Sequence, residues 1–207
     1  MNSQCETSDL LVFAHLRWED VYERPQHLLS RHAKYRRVYY FEEPVFGKSD
    51  IPRYHIKETQ DHVSVVVPYL PAGTSPEDVQ YLLRDLVDEL VYEEELTQLT
   101  TWYYDPRAYK FSDHLETEKI IYDCMSEFST DCEEPLLSKA DLVLTGPSLF
   151  ESKSKMHANI HSLIDQSWDV AFKLAANLER SLPKKKIPFH SPFHFIRPIV
   201  LNPQLTH

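Results

Sequence analysis

The residues most suited to recognition crowd into one short segment, HLRWEDVYERPQH at positions 15–27. It places an indole (Trp18), a guanidinium (Arg24) and an amide (Gln26) just ahead of a predicted helix. Trp18 can stack on a ring, Arg24 can pair with an anion, and the free N–H groups near Gln26 bring partial positive charge to the helix start. That set suits a sugar or a phosphate. The residues alone equally allow an internal use, with Arg24 paired to Glu19 or Asp20 and Trp18 covering the end of a sheet.

Three further segments carry chemistry. FEEP ends a predicted strand with Glu42 and Glu43. An acid at that place can hold a ribose hydroxyl in dinucleotide-binding folds, or it can be a solvated strand end. YDCMSEFS places Asp123 and Glu127 just beyond another strand, as a base, as hydroxyl-binding carboxylates, or as caps of the following turn. LTGPSLFESK reads as strand, turn and helix, with Gly146 and Ser148 either cradling an anion or simply capping the helix. Cys124 has no local nucleophile signature and is expected to be a buried thiol. His157 and His161 have metal-like spacing, but HANIH reads as extended, so no metal site is expected there.

These loops need elements to hold them. Residues 9–15, 37–41, 63–67, 100–106, 118–124 and 140–146 are apolar runs that read as strands, and 159–164 as a seventh. Between them lie helical patterns. The clearest runs from Ser75, with Pro76 in the first turn, Asp78 at capping-box spacing and apolar residues from Val79 to Val91. Another begins near Pro25. Alternating strands and helices predict an α/β fold, a Rossmann-like, doubly wound and mostly parallel sheet. Ligands then sit beyond the carboxyl ends of the strands, at loops 15–24, 42–47, 105–109, 123–129 and 145–148.

Composition narrows the function classes. Of 207 residues only three are glycine, where average usage predicts about 14. Neither a GxGxxG nor a P-loop is present, and no bound cofactor is expected. A net charge of −10 argues against nucleic acid as a partner. Three scattered cysteines fit a reducing compartment. The opening residues lack a basic n-region and an apolar h-region, and no apolar run approaches a membrane span. A cytoplasmic protein is expected. All 32 acidic residues precede Pro183, whereas 183–207 hold five prolines and four basic residues. The expected organisation is one domain over 1–182 and an irregular basic tail over 183–207.

Together the motifs resemble the N-terminal domain of bacterial GT-B, group 1-like glycosyltransferases related to teichuronic-acid and other surface-polysaccharide enzymes. Trp18 with Arg24-Pro25-Gln26-His27-Leu28-Leu29-Ser30-Arg31, then Arg37 to Pro44, is similar to that family's W-x5-RPQHLLSRLA and RVLYVEEP. Ile121 to Ser129 resembles IYDCMDELS, with Ser126 replacing an acid. Ala140 to Lys153, followed by His157, Asn159, Ile160 and His161, resembles ADLVFTGGPSLYEAK and H-x-NVH. TGPS has one glycine where the family has two, and the spacing around Asp169 and Val170 differs.

The resemblance implies a nucleotide-sugar donor, a glycan or other acceptor, and a cleft lined by these loops. It implies Arg24 for a phosphate or acceptor anion, Trp18 for stacking, Asp123 or Glu127 for a sugar hydroxyl, and His15 as a base. It also implies a donor-binding second domain from about residue 185 and a glutamate pair eight positions apart, neither of which the sequence contains. The chain is therefore expected to be truncated and inactive alone. The alternative is a non-catalytic carbohydrate- or partner-binding module, or the product of a truncated or frameshifted gene.

Overall fold

The computed structural model describes residues 8–20, 24–163 and 168–180; the basic, proline-rich segment lies outside the described residues. The described residues form nine strands and six helices. They are β1 (Leu10–Phe13), α1 (Arg24–His32), β2 (Val38–Phe41), β3 (Val45–Phe46), β4 (Arg53–Glu58), β5 (Ser64–Leu70) and α2 (Pro76–Glu93). Then come β6 (Thr100–Tyr103), a 3-10 turn (Pro106–Ala108), α3 (Tyr109–Ser112), β7 (Lys119–Cys124), α4 (Thr130–Lys139), β8 (Leu142–Thr145), α5 (Pro147–Lys153), β9 (Ile160–Ser162) and α6 (Trp168–Arg180).

One sheet takes the order β3-β5-β2-β1-β6-β7-β8-β9. Every pair along it is parallel; β4 alone runs antiparallel, on β5. The chain winds outward from β1 to β2 and β5, then returns to β6 on the other side of β1. The expected doubly wound, mostly parallel Rossmann-like fold is therefore present, and its switch point lies between β1 and β6.

The central strands are buried on both faces, which is why they read as continuous apolar runs. Alternation along β1 sends Leu11 and Phe13 into one core with Leu83, Leu86, Val87 and Leu90 of α2 and Phe111 of α3. Leu10, Val12 and Ala14 go into the other, with Leu28 and Leu29 of α1 and Ala171 and Ala175 of α6. Helix α2 starts as its sequence predicts: Ser75 Oγ accepts from the Asp78 N–H at 3.1 Å, and Pro76 follows the cap. Strand β4 carries RYHIKE, with exposed Arg53, His55, Lys57 and Glu58. Only Tyr54 and Ile56 pack on the core, and such charge is how natural proteins blunt a sheet edge.

Candidate functional site

Strand register brings the candidate residues together. Phe13 is paired with Phe41 and with Tyr103, and Tyr103 with Tyr122. The next residues, Glu42, Ala14, Tyr104 and Asp123, therefore continue as a row at the carboxyl ends of β2, β1, β6 and β7. The ladder runs that far: Ala14 N–H donates to Phe41 O at 3.1 Å, and Tyr104 N–H to Phe13 O at 2.8 Å. Because side chains alternate, Ala14 and Tyr104 lie on the α1 side with Val12, Tyr40 and Trp102. Ala14, the smallest member, stands at the switch point.

Each carboxylate of the row is held by an arginine, one from the loop after β1 and one from the start of α1. Arg17 Nη1 donates to Glu42 Oε2 at 2.7 Å, and the Trp18 backbone N–H donates to Glu42 Oε1 at 2.7 Å. Glu42 is thus a buried clasp on the β1–α1 loop rather than a solvated strand end. Arg24, the first residue of α1, donates from Nη1 to Asp123 Oδ1 at 2.7 Å, 99 positions away. Neither Glu19 nor Asp20 is its partner; Glu19 is paired with Lys57. Pro25 at the second helical position, with fixed φ and no N–H to satisfy, suits a helix that must begin there.

Asp123 is fully buried, and its second oxygen, Oδ2, has no hydrogen-bond partner. Burial pushes its carboxyl up to about 6, against the opposing pull of the Arg24 charge. The hydroxyl of Tyr104, next to it in the row, is likewise buried without a partner. Burial raises that phenol well above its ordinary value, the Asp123 charge adding to the effect. The neighbouring Tyr40 hydroxyl differs, donating to Leu16 O at 3.0 Å. His15 is half-buried beside Phe128, with ring centroids 6.0 Å apart, and its Nδ1 is also buried and unpartnered. Three unpartnered polar atoms thus sit at the carboxyl ends of β1, β6 and β7.

Trp18 packs its indole edge-to-face on Tyr40 at 5.0 Å, and its carbonyl accepts from Gln26 Nε2 at 3.0 Å. Gln26 is buried and fixes the loop to the helix. Glu127 and Ser148 are exposed and share no hydrogen bond or ion pair with this cluster among the described residues. Gly146 follows β8, two residues past Leu144, the register partner of Asp123. It is the N-cap of α5, with Pro147 next and Ser148 one further, so the serine is not the cap.

Cys124 is a buried thiol raised to about 11 by burial, with Glu133 and the Ser126 carbonyl as partners. Glu133 also accepts from Tyr122 and Lys153. His157 Nε2 donates to Ala140 O at 2.8 Å and His161 Nε2 to Asn159 Oδ1 at 3.1 Å, so both rings brace the turn before β9. Tyr104 was not marked by the sequence. Its signal is positional, one residue past a buried strand and level with Asp123.

No family model matches the chain, and no curated protein matches it. Among solved structures it is similar to a sucrose-phosphate synthase from Thermosynechococcus elongatus, with a TM-score of 0.55 and 13% identity over 84% of this chain and 98% of that one. A trehalose-6-phosphate structure from E. coli, bound with UDP-2-fluoro glucose, matches with a TM-score of 0.48 and 10% identity over 72% of this chain and 41% of that one. The first likeness shows that the chain shares the α/β, Rossmann-like fold of that structure. No helix among the described residues is long and apolar enough to cross a membrane.

Proposed function

We propose that this chain is the acceptor-side domain of a GT-B glycosyltransferase-like protein. It would serve transfer of a sugar from a nucleotide-sugar donor to a glycan or other acceptor. The observation that carries the reading is the pair of unpartnered buried groups, Asp123 Oδ2 and Tyr104 OH, beside Arg24 at the switch point of the sheet. A doubly wound sheet offers its ligand site there. A hydroxylated ligand supplies both a donor for Oδ2 and a partner for the phenol.

Asp123 accepts the acceptor hydroxyl and, with a carboxyl raised to about 6, can take its proton as a general base near neutral pH. Arg24 keeps that carboxylate oriented and leaves cationic charge facing an anionic acceptor group. His15 is the second base candidate, and Glu127 a hydroxyl acceptor at the rim. Trp18 lines the approach; Gln26 and Glu42 hold the loop that carries it. Gly146 and Ser148 extend the rim along the end of β8. The leaving nucleotide diphosphate of the donor requires its own cationic or N–H stabilisation.

A non-catalytic carbohydrate-binding module is the competing reading. The ion pair of Asp123 with Arg24 favours it, since a carboxylate held by a guanidinium can bind a hydroxyl without serving as a free base. Incubating the purified chain with UDP- and GDP-sugars and saccharide acceptors, while following nucleotide release and the amide spectrum, separates the two. Saccharide-induced shifts at Ala14, Tyr104 and Asp123 support the acceptor site. Nucleotide release that Asp123→Asn abolishes assigns catalysis, and binding without release assigns the module. Silence of those amides toward every saccharide and sugar phosphate removes both.

A further inference from the structure

We propose that α6 is an acid-released helix, docked on α1 at neutral pH and let go when His32 takes up a proton. The inference goes beyond the saccharide reading and does not depend on it. α6 is lightly held. Its fully buried side chains among the described residues are two alanines, Ala171 and Ala175, while Trp168, Phe172, Leu174 and Leu178 pack only partly. Its large rings rest on basic residues of α1. Trp168 lies on His27, with centroids 4.2 Å apart, and Phe172 on His32 at 4.7 Å. The Arg31 guanidinium stands 4.4 Å from the Phe172 centroid. Arg31 also pairs with Asp169, but Asp169 is largely exposed, and such a pair holds little. A helix that buries so little apolar surface opens at lower cost than the core.

His32 makes that opening sensitive to protons. It is buried between Trp102 of β6, 5.8 Å away, and Phe172 of α6. Arg36 Nη2 lies 2.8 Å from His32 Nδ1. A guanidinium can only donate, so Nδ1 keeps its lone pair and the ring proton sits on Nε2, which has no partner. A second proton can enter only by breaking the Arg36 bond. The charged ring would then face two cations of its own helix, Arg36 and Arg31. β6 presents the uncharged Trp102 and α6 presents Phe172. The charged neighbours of Phe172 on α6, Asp169 and Lys173, are exposed, and Asp169 is taken by Arg31. Burial above all, and then the Arg36 and Arg31 charges, hold the ring well below its ordinary value of 6.5. With α6 lifted, the ring meets water on that side and can charge. The docking stability owed to His32 is therefore complete above about pH 6.5 and is lost as pH falls below it. His27 works in the opposite sense, since a charged His27 strengthens its contact with the Trp168 ring.

The experiment is amide-resolved hydrogen exchange of the whole chain from about pH 7 to about pH 4.5, corrected for intrinsic exchange rates. Below about pH 6.5 the protection of α6 amides, from Ala171 to Leu178, is expected to fall by up to about tenfold per pH unit, while amides of α2 keep theirs. His32→Phe, which keeps a ring that cannot charge, should make the α6 response flat. Arg36→Leu, which leaves Nδ1 open to a proton in the docked state, should shrink the response and tests the proposal even where His32→Phe fails to fold. Asp169→Asn, which removes the ion pair to Arg31, should lower protection by one factor at every pH in the range. Thermal melts confirm which variants fold. Protection of α6 that does not change with pH, an equal loss in α2, a response that survives the folded His32 and Arg36 variants, or one abolished by Asp169→Asn would overturn the proposal.

Discussion

Two buried carboxylates stand in one row of the sheet, each held by an arginine from the same segment, yet they are held differently. Glu42 has both oxygens taken, one by Arg17 and one by the Trp18 N–H. Asp123 has one oxygen on Arg24 and the other on nothing. A fully bonded carboxylate is a fastener. A half-bonded one in a dry place is a group still short of a partner, and unsatisfied buried polar atoms in native structures ask for an explanation of that kind. The difference assigns the loop anchor to Glu42 and the ligand-facing role to Asp123.

The largest test of this contrast is Arg24→Ala. It strands a fully buried carboxylate, and breaking a buried pair from one side costs about 3–5 kcal/mol. Urea unfolding at pH 7 should show that loss, and Asp123→Asn added to Arg24→Ala should recover much of it. At pH 5 the loss should shrink, because Asp123 then carries a proton. A loss independent of both pH and Asp123 would mean that Arg24 acts through helix α1 instead.

Next in size is the pH dependence of Asp123 itself. Its folded carboxyl sits at about 6, above an ordinary value of 3.8. Between those limits the folded chain holds a proton that the unfolded chain has released. Stability from this group is present below about pH 4 and is lost as pH rises through about 6, to a total of about 3 kcal/mol. Asp123→Asn should flatten that part of the stability–pH curve, and a curve unchanged by the substitution would place the titration elsewhere. Glu42→Ala should cost less, about 2 kcal/mol, mostly from leaving the Trp18 N–H without an acceptor, since Arg17 is about a third exposed and its ion pair is screened. Glu42→Gln, which keeps an oxygen for that N–H, should recover about half; equal losses in the two variants would shift the weight to the Arg17 charge.

The sequence carried much of the frame and the residue types of the site, but not their pairing. β1 was legible because burial on both faces leaves an unbroken apolar run, and α2 because Ser75, Pro76 and Asp78 mark its start. β4 was not, since an edge strand buries little and Arg53, His55, Lys57 and Glu58 hide its alternation. α4 was obscured by Pro135 inside it and by Asp131, Glu133 and Glu134 along its first turns. In the site, Trp18, Arg24, Glu42 and Asp123 could be nominated from loop position. That Arg24 reaches Asp123, or that Tyr104 stands between Ala14 and Asp123, depends on strand register across distant segments. Periodicity within a segment does not contain that information.

The smallest expected stability change is the most selective for function. Tyr40 and Tyr104 are both buried tyrosines on the α1 face, but only the Tyr40 hydroxyl has a protein partner among the described contacts, the Leu16 carbonyl. Tyr40→Phe removes that bond and leaves a carbonyl short of a donor, so it should cost about 1 kcal/mol. Tyr104→Phe removes a hydroxyl that bonds nothing in the fold and whose burial is itself unfavourable, so stability should stay within about 0.5 kcal/mol or rise. If Tyr104 is kept for a ligand, the same substitution should weaken saccharide binding at Asp123 about tenfold while the melting curve hardly moves. A stability loss in Tyr104→Phe comparable to that in Tyr40→Phe would show that the phenol is satisfied within the fold, and the ligand-facing role of the row would pass to Asp123 alone.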